Sequence, residues 1–114
     1  MVTIETFKQM ALSFPETEEQ DHWGRPSFRV KKKIFSTLWP KEKRAVLKFS
    51  VTDQSVFCAF DTSIIYPVEG GWGRQGYTVI ELSKIKKAML KDALTTAWCT
   101  VAPKTLVVNF LEKK

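Results

Sequence analysis

The 114-residue sequence has few cysteines, one histidine and no long apolar run, and each shortage excludes a class of protein. Cys58 and Cys99 are too few for a disulfide scaffold, and their spacing fits no zinc motif. No apolar run approaches the roughly 20 residues that a membrane span needs. The N-terminal residues show no charged-then-apolar leader. We therefore expect a cytoplasmic protein in a reducing compartment, with no membrane contact.

Side chains suited to catalysis are also scarce. A catalytic triad, a Cys–His pair or a histidine-rich metal site would each require His22. His22 stands beside Trp23 in an acidic segment, where a packed or solvated role is more frequent than a catalytic one. The acids at positions 16–21 are clustered on a predicted turn, and no pair of carboxylates is arranged for acid–base chemistry. We expect no enzyme, no catalytic residue, no metal and no cofactor.

Apolar and aromatic residues, by contrast, are plentiful. Hydrophobic residues make up 44% of the sequence and aromatic residues 12%, including eight Phe and four Trp, which is enough for a core. The length is typical of one domain, and no repeat or linker interrupts the chain. Residues 1–114 are therefore predicted to be a single domain.

Positive charge is concentrated in one stretch of the chain. The formal net charge is +6, but residues 25–48 alone hold nine basic residues against one acid, Glu42. A local excess of this kind attracts polyanions. A solvated face that keeps a small protein soluble accounts for the same pattern, so both interpretations stay open.

Hydrophobic spacing predicts an α+β fold. Thr3 is the predicted N-cap of a first helix that Pro15 ends, and an acidic turn segment follows. The pattern then alternates with a period of two, which predicts three strands at residues 27–30, 34–39 and 45–50. Basic turns at 31–33 and 40–44 connect them. The prediction is an antiparallel sheet with basic hairpin wings, flanked by N-terminal and C-terminal helices.

The second half of the chain completes this pattern. Thr52 or Asp53 is expected to cap a short helix, and Ser83 is expected to cap a long one. The remaining predicted elements are a strand at 64–66, a glycine-rich loop at 70–76, a strand at 77–82 and a closing helix with Pro103 in its first turn.

Three lysines, Lys84, Lys86 and Lys87, fall in the predicted first turn of the long helix, where the helix dipole disfavours cations. Either an anion binds at that helix start or the lysines form a solubility face.

The glycine-rich loop at 70–76 is not a phosphate-binding P-loop, because it lacks the Lys-Ser/Thr ending and precedes a strand. Its glycines are expected to allow left-handed backbone in a hairpin connection. Trp72 and Arg74 suit stacking and charge contacts with a base or a phosphate. The alternative is that Trp72 folds back on the sheet and Arg74 is solvated.

Three strings of the sequence together resemble one family of small bacterial proteins. They are DHWGRPSFRV at 21–30 with KIFSTL at 33–38, WGRQGYT at 72–78 and VAPK at 101–104. In combination they resemble the MmcQ/YjbR-like family over nearly the whole chain, with Tyr77 where a tryptophan is expected. The resemblance implies a compact double-wing α+β domain, related in architecture to secretion chaperones. Family members are commonly labelled DNA-binding, and the resemblance implies no catalytic residue.

The leading hypothesis is a DNA-binding protein whose basic hairpin wings contact the phosphates of duplex DNA, largely without sequence specificity. The predicted nucleic-acid-binding residues are the wing residues Lys31, Lys32, Lys33, Lys41, Lys43 and Arg44, reinforced by Arg25, Trp72 and Arg74.

The alternative hypothesis is a chaperone-like or adaptor module that binds a protein partner or a second copy of the chain. The aromatic surplus favours this alternative, because Trp23, Trp39, Tyr66 and Trp72 exceed what one small core needs. A small-ligand pocket under the Trp72 loop is a third hypothesis.

Overall fold

The computed structural model describes residues 2–112, which form one six-stranded sheet and five helices. The elements in chain order are α1 Ile4–Leu12, β1 Thr17–His22, β2 Arg25–Val30, β3 Lys33–Trp39, β4 Arg44–Lys48, α2 Val51–Phe60, β5 Ile65–Pro67, α3 Gly71–Arg74, β6 Tyr77–Glu81, α4 Lys87–Val101 and α5 Lys104–Glu112. This confirms the predicted α+β class.

The sheet is antiparallel throughout, in the order β1-β2-β3-β4-β6-β5. Strands β1 to β4 form a meander of consecutive hairpins, as predicted for three of them. Strand β6 pairs with β4, and the short strand β5 occupies the edge beyond β6. Because β1 and β5 are the two edges, the centre of the sheet is formed by β2, β3, β4 and β6.

One face of the sheet carries the hydrophobic core. Helix α4 packs against β3 and β4, and α1 packs near β1. Aromatic side chains join the layers: the Phe7 and Phe28 rings meet edge to face at 5.7 Å, and Phe14 stacks on the buried Trp98 at 6.0 Å. Since strand side chains alternate between faces, the residues between the core positions point to the opposite face, here called the outer face.

Helix ends agree with the sequence pattern in part. The Thr3 hydroxyl accepts a hydrogen bond from the Thr6 N–H at 3.1 Å, which confirms the predicted cap of α1. Helix α2 begins two or three residues earlier than expected, because its cap is Ser50 and not Thr52 or Asp53; the Ser50 hydroxyl accepts from the Asp53 N–H at 3.0 Å. The longest described helix, α4, has 15 residues, and no helix within residues 2–112 is long and apolar enough to cross a membrane.

The acidic segment expected to be a turn is instead strand β1. It is an edge strand that pairs only with β2 and is exposed along most of its length, so it needs no alternating apolar residues. Its acids lie near bases: Glu19 is 3.5 Å from the Lys8 Nζ, and Glu18 is paired in register with Arg29. Strand β1 thus carries charged side chains on an exposed edge in place of apolar alternation.

The start of α4 also differs from the expectation. The helix begins at Lys87, and Ser83 lies in a turn in which the Lys84 and Ile85 N–H groups donate to the Glu81 carbonyl. Lys84 therefore precedes the helix, and the premise of three lysines crowded into its first turn is wrong. The closing helix begins at Lys104, so Pro103 lies directly before its first residue and not within the first turn.

Candidate functional site on the outer face

Consecutive turns of a meander lie at opposite ends of the sheet, and this separates the two predicted basic wings. Lys31 and Lys32 form the β2–β3 turn at one end, here called the Lys31 end. The β3–β4 turn lies at the other end with the β1–β2 turn of Trp23 and Gly24; this is the Trp23 end. Strand β3 spans the distance between them, about 20 Å at roughly 3.3 Å per residue. The two basic clusters therefore do not form one adjacent pair of wings.

Arg25 belongs to the Trp23 end. Its guanidinium carbon lies 4.1 Å from the centre of the Trp39 ring, and its Nη2 atom is 3.9 Å from the Glu42 carboxylate. Since β2 begins where β3 ends, Arg25 and Trp39 share the outer face at neighbouring positions. The sequence-predicted residues Arg25, Lys41 and Lys43 are thus brought to the same end of the sheet.

Arg44 has a structural role at this end. Its Nε atom lies 2.8 Å from the Glu81 carboxylate across the β4–β6 pair, and the Tyr66 hydroxyl donates a hydrogen bond to the same carboxylate oxygen. Burial, together with the hydrogen bond to Glu81, raises the pKa of Tyr66. Arg44 is therefore neutralised by a partner and contributes less free charge than the sequence suggests.

The centre of the outer face is a cleft of about 430 Å³. Thr37 and Val46 are cross-strand partners in its floor, and Trp39 rises on the Trp23 side. Trp72 and Tyr77 line the Lys31 side, with their rings edge to face at 5.2 Å. The full lining is His22, Trp23, Arg25, Thr37, Trp39, Val46, Val68, Trp72 and Tyr77.

Trp72 and Arg74 lie on different sides of the segment that precedes β6. This predicted loop contains one helical turn, α3, and residues two apart on a helix do not face the same way. Trp72 lines the cleft, whereas Arg74 lines a shallow depression beside Val51 and Gln54 of α2. Trp72 is therefore brought into the candidate site, and Arg74 is not.

Four exposed residues at the hairpin tips have left-handed backbone. They are Trp23 with φ 58°, Lys31 with φ 49°, Lys32 with φ 70° and Lys43 with φ 56°. Such positions normally favour Gly, Asn or Asp, because a bulky side chain costs about 1–2 kcal/mol there. The tips of three successive hairpins thus carry one tryptophan and three lysines at positions that disfavour them.

The basic residues differ in how far their charge is compensated. Within residues 2–112, four ion pairs form, and they engage Arg25, Lys31 and Arg44 of the predicted site. The other predicted cations have no carboxylate oxygen within 4.0 Å in the described part of the chain; they are Lys32, Lys33, Lys41, Lys43 and Arg74. Uncompensated charge therefore remains at both ends of the sheet.

Sequence reasoning missed several residues of this face. Arg29 donates from Nε to the Ser27 hydroxyl at 3.1 Å, and the Lys48 Nζ lies 4.8 Å from the centre of the Tyr77 ring. For Trp23 and Trp39 the sequence predicts only a surplus of aromatic residues, not a place in this site. The available signal was the period of two, since the alternate positions of β2 and β4 point to the outer face.

A further groove, of about 710 Å³, lies on the helical side between α1, α4 and α5. Met10, Phe14 and Phe110 supply apolar walls, and Lys87 and Lys91 stand beside them. Nothing in the structure shows what covers this groove. The outer face is the better candidate because aromatic rings line its cleft and lysines without an ion-pair partner in the described residues lie at the hairpin tips at both ends of it.

A six-stranded antiparallel sheet with helices packed against it makes this chain an α+β domain. The YjbR family model matches residues 12–100, so the chain belongs to the YjbR family. The Deinococcus radiodurans protein DR2400, a crystal structure with a DUF419 domain, is similar in fold. Its TM-score is 0.78 at 15% identity, over 92% of this chain and 82% of that one. Comparison with curated proteins gives no match.

Proposed function

We propose that this YjbR-family protein binds nucleic acid across the outer face of its sheet and acts as a binding module, not as an enzyme. The observation that carries the proposal is the placement of Trp23, Lys31, Lys32 and Lys43 at left-handed hairpin positions on either side of the aromatic cleft. The side chains that meet on this face are aromatic and cationic, the two kinds that contact bases and phosphates.

The stability of the fold does not explain why lysines occupy these hairpin positions. Lys32 and Lys43 are exposed, and neither has an ion-pair partner within the described residues. Gly or Asn at these positions would avoid a backbone cost of about 1 kcal/mol each. A protruding lysine does, however, place an ammonium group where a phosphate backbone can reach it.

The two basic ends suit an extended polyanion. They lie about 20 Å apart along β3, and the aromatic cleft lies between them, so one ligand crossing the outer face meets both. Phosphate contacts of this kind carry no sequence information. We expect largely non-specific binding whose log K falls by about 0.7–0.9 for each phosphate neutralised per decade of salt.

The test is a titration of fluorescently labelled oligonucleotides, followed by anisotropy, at about 50 mM and about 200 mM salt. The variant replaces Lys32, Lys33, Lys41 and Lys43 by Gln. The matched control replaces the same number of lysines on the helical side of the sheet, namely Lys84, Lys86, Lys87 and Lys91.

The hairpin variant is expected to lose most of its affinity and salt dependence, and the helical-side variant to lose little. The same loss in both variants would show that binding depends only on the net charge of the protein. No binding by the unaltered protein at low salt would overturn the proposal.

A protein-interaction role is the second candidate, and the exposed aromatic side chains favour it. Trp23 is 92% exposed and Trp72 is 61% exposed, and tryptophan is enriched in protein interfaces. Apolar contacts survive high salt, whereas phosphate contacts do not. Sedimentation of the purified chain at about 0.5 M salt therefore tests self-association independently of nucleic acid.

A further inference from the structure

We infer that the cleft of the outer face binds an unpaired base, which makes single-stranded nucleic acid, rather than a duplex, the ligand of this protein. The inference rests on the proposed nucleic-acid binding and specifies its ligand. It departs from the duplex expected from the sequence.

The shape of the outer face does not suit a duplex. The major groove of B-DNA is about 12 Å wide and admits a helix or a two-stranded ribbon, not the face of a six-stranded sheet. A duplex lying on this face would touch the basic ends with its phosphates, but its bases are paired and stacked inside the helix and would not reach the faces of the aromatic rings. An unpaired base can leave its stack and enter a cleft.

The cleft has the size and walls that a planar ring needs. Its volume of about 430 Å³ lies within the range of about 300–1,000 Å³ that is usual for small-molecule sites. Trp39 stands at one side and Trp72 at the other, above a floor that includes Val46. Aromatic rings and the guanidinium plane of Arg25 are both surfaces on which bases stack.

The turn residue Trp23 supports base stacking independently of the size of the cleft. Its indole is 92% exposed and so stabilises the core little, while its backbone has φ 58° beside Gly24 with φ 83°. A turn with two left-handed residues favours Asn-Gly, so tryptophan at the first position is costly. This outlier lines the same cleft as Trp39 and Trp72. A stacking role gives a reason for a large aromatic ring at this turn.

The cleft lining also predicts how the base is recognised. Apart from Arg25, its polar side-chain groups are the Thr37 hydroxyl, the His22 ring, the indole N–H groups and the Tyr77 hydroxyl, and most of its lining area is apolar. Stacking on such a surface is tolerant of base identity. The backbone of the strand would meet Arg29 and Lys48, which flank the cleft on the outer face. Binding is therefore expected to depend on the presence of bases rather than on their sequence.

The test compares four probes by anisotropy or competition: a single strand of about 12 thymidines, a duplex of equal length, an abasic strand with the same phosphates, and free thymidine monophosphate. The abasic strand separates stacking from phosphate contact. The monophosphate separates a strand from a free nucleotide as the source of the base.

Two variants probe the cleft, and one is a matched control. Trp23→Asn suits the left-handed turn and is expected to fold at least as stably as the unaltered protein. Trp72→Leu removes the second exposed indole. Phe60→Leu removes an aromatic ring that is 65% exposed on α2, away from the cleft.

The thymidine strand is expected to bind at least tenfold more tightly than the abasic strand or the duplex. Trp23→Asn and Trp72→Leu are each expected to lower its affinity about tenfold, and Phe60→Leu to leave it unchanged. The inference is wrong if the abasic strand or duplex binds as tightly and the tryptophan variants bind normally. The proposed nucleic-acid binding would then survive on its phosphate contacts.

Two further outcomes would each overturn the inference, for different reasons. If thymidine monophosphate binds as tightly as the strand, the cleft is a site for a free nucleotide, and the single-strand assignment is overturned. If no probe binds at about 50 mM salt, both the inference and the proposed function fail.

Discussion

The Arg25 guanidinium lies over the Trp39 indole, with 4.1 Å between the guanidinium carbon and the ring centre. The contact joins the first residue of β2 to the last residue of β3, at the end of the sheet where two hairpin tips meet. The Glu42 carboxylate is a second neighbour of this guanidinium, 3.9 Å from the Arg25 Nη2 atom. A planar cation is thus held at the edge of the cleft, where its position depends on stacking as well as on charge.

Arg25→Lys tests whether that planar group matters. Lysine keeps the charge but cannot stack as a plane, so we expect a loss of about 0.5–1 kcal/mol in the free energy of unfolding. We also expect severalfold weaker binding of a single strand, with the same salt dependence. Urea unfolding followed by tryptophan fluorescence and an oligonucleotide titration measure the two effects.

Arg74→Lys is the control for this substitution, because Arg74 is exposed outside the cleft. Equal effects of the two substitutions would show that the stack on Trp39 contributes nothing particular.

Lys32→Gly is expected to stabilise the protein and weaken its binding of nucleic acid. Lys32 has φ 70°, a conformation that glycine adopts without the cost that a side chain imposes. We expect the free energy of unfolding to rise by about 1 kcal/mol, and the salt slope of binding to fall by roughly the contribution of one phosphate. Thermal unfolding and a salt titration measure both quantities.

Lys33→Gly is the matched comparison, since it removes the same charge from the neighbouring residue. Lys33 is the first residue of β3 and has no left-handed backbone, so glycine there is expected to destabilise by about 0.5–1 kcal/mol. If both substitutions change stability in the same direction, the backbone cost at Lys32 does not exist.

More of the fold than of the candidate site could be predicted from the sequence. The period of two placed the central strands within about two residues, because those strands bury one face. Strand β1 was missed because its exposed edge carries no apolar alternation; its acids instead face the bases of β2 and α1. The residue type of Ser83 predicts a helix cap, whereas the Glu81 carbonyl organises a separate turn there.

The site was predicted in its composition but not in its arrangement. A meander necessarily puts Lys32 and Lys43 at opposite ends of the sheet, so their separation was available from the topology alone. The separation of Trp72 from Arg74 could not be predicted from the sequence. It depends on one helical turn, since residues two apart share a side in extended chain and diverge on a helix.

Tyr66 is expected to make the stability of the protein vary with pH in the alkaline range. The pKa of its hydroxyl is raised above the ordinary value of 10.0 by burial and by the hydrogen bond to Glu81. The folded state therefore holds this proton more tightly than the unfolded state does. The resulting stabilisation is fully present below the ordinary pKa and is lost as the pH rises through the raised pKa.

Comparison with Tyr66→Phe isolates this contribution. The unaltered protein is expected to exceed the variant in free energy of unfolding at about pH 8, and the difference should shrink or reverse by about pH 11. Urea unfolding at several pH values measures the difference. A constant difference over that range would show that the Tyr66 hydroxyl is not linked to folding.

Gly76→Ala is expected to destabilise the segment that carries Trp72. Gly76 has φ 102°, and a Cβ atom there would lie 1.8 Å from the carbonyl oxygen of Phe49. The backbone of Phe49, directly after β4, and the turn before β6 would have to separate, breaking the hydrogen bond from the Phe49 N–H to the Gly76 carbonyl, which is 3.0 Å long. We expect a loss of more than about 2 kcal/mol in the free energy of unfolding.

Gly71→Ala is the control in the same segment. A Cβ atom at Gly71 meets nothing within 4 Å, and its backbone is not left-handed, so alanine should be tolerated or slightly stabilising in α3. Urea unfolding of both variants, with single-strand binding measured beside it, tests the pair. Comparable stability of the two variants would contradict the close approach of Gly76 to Phe49 on which the position of Trp72 depends.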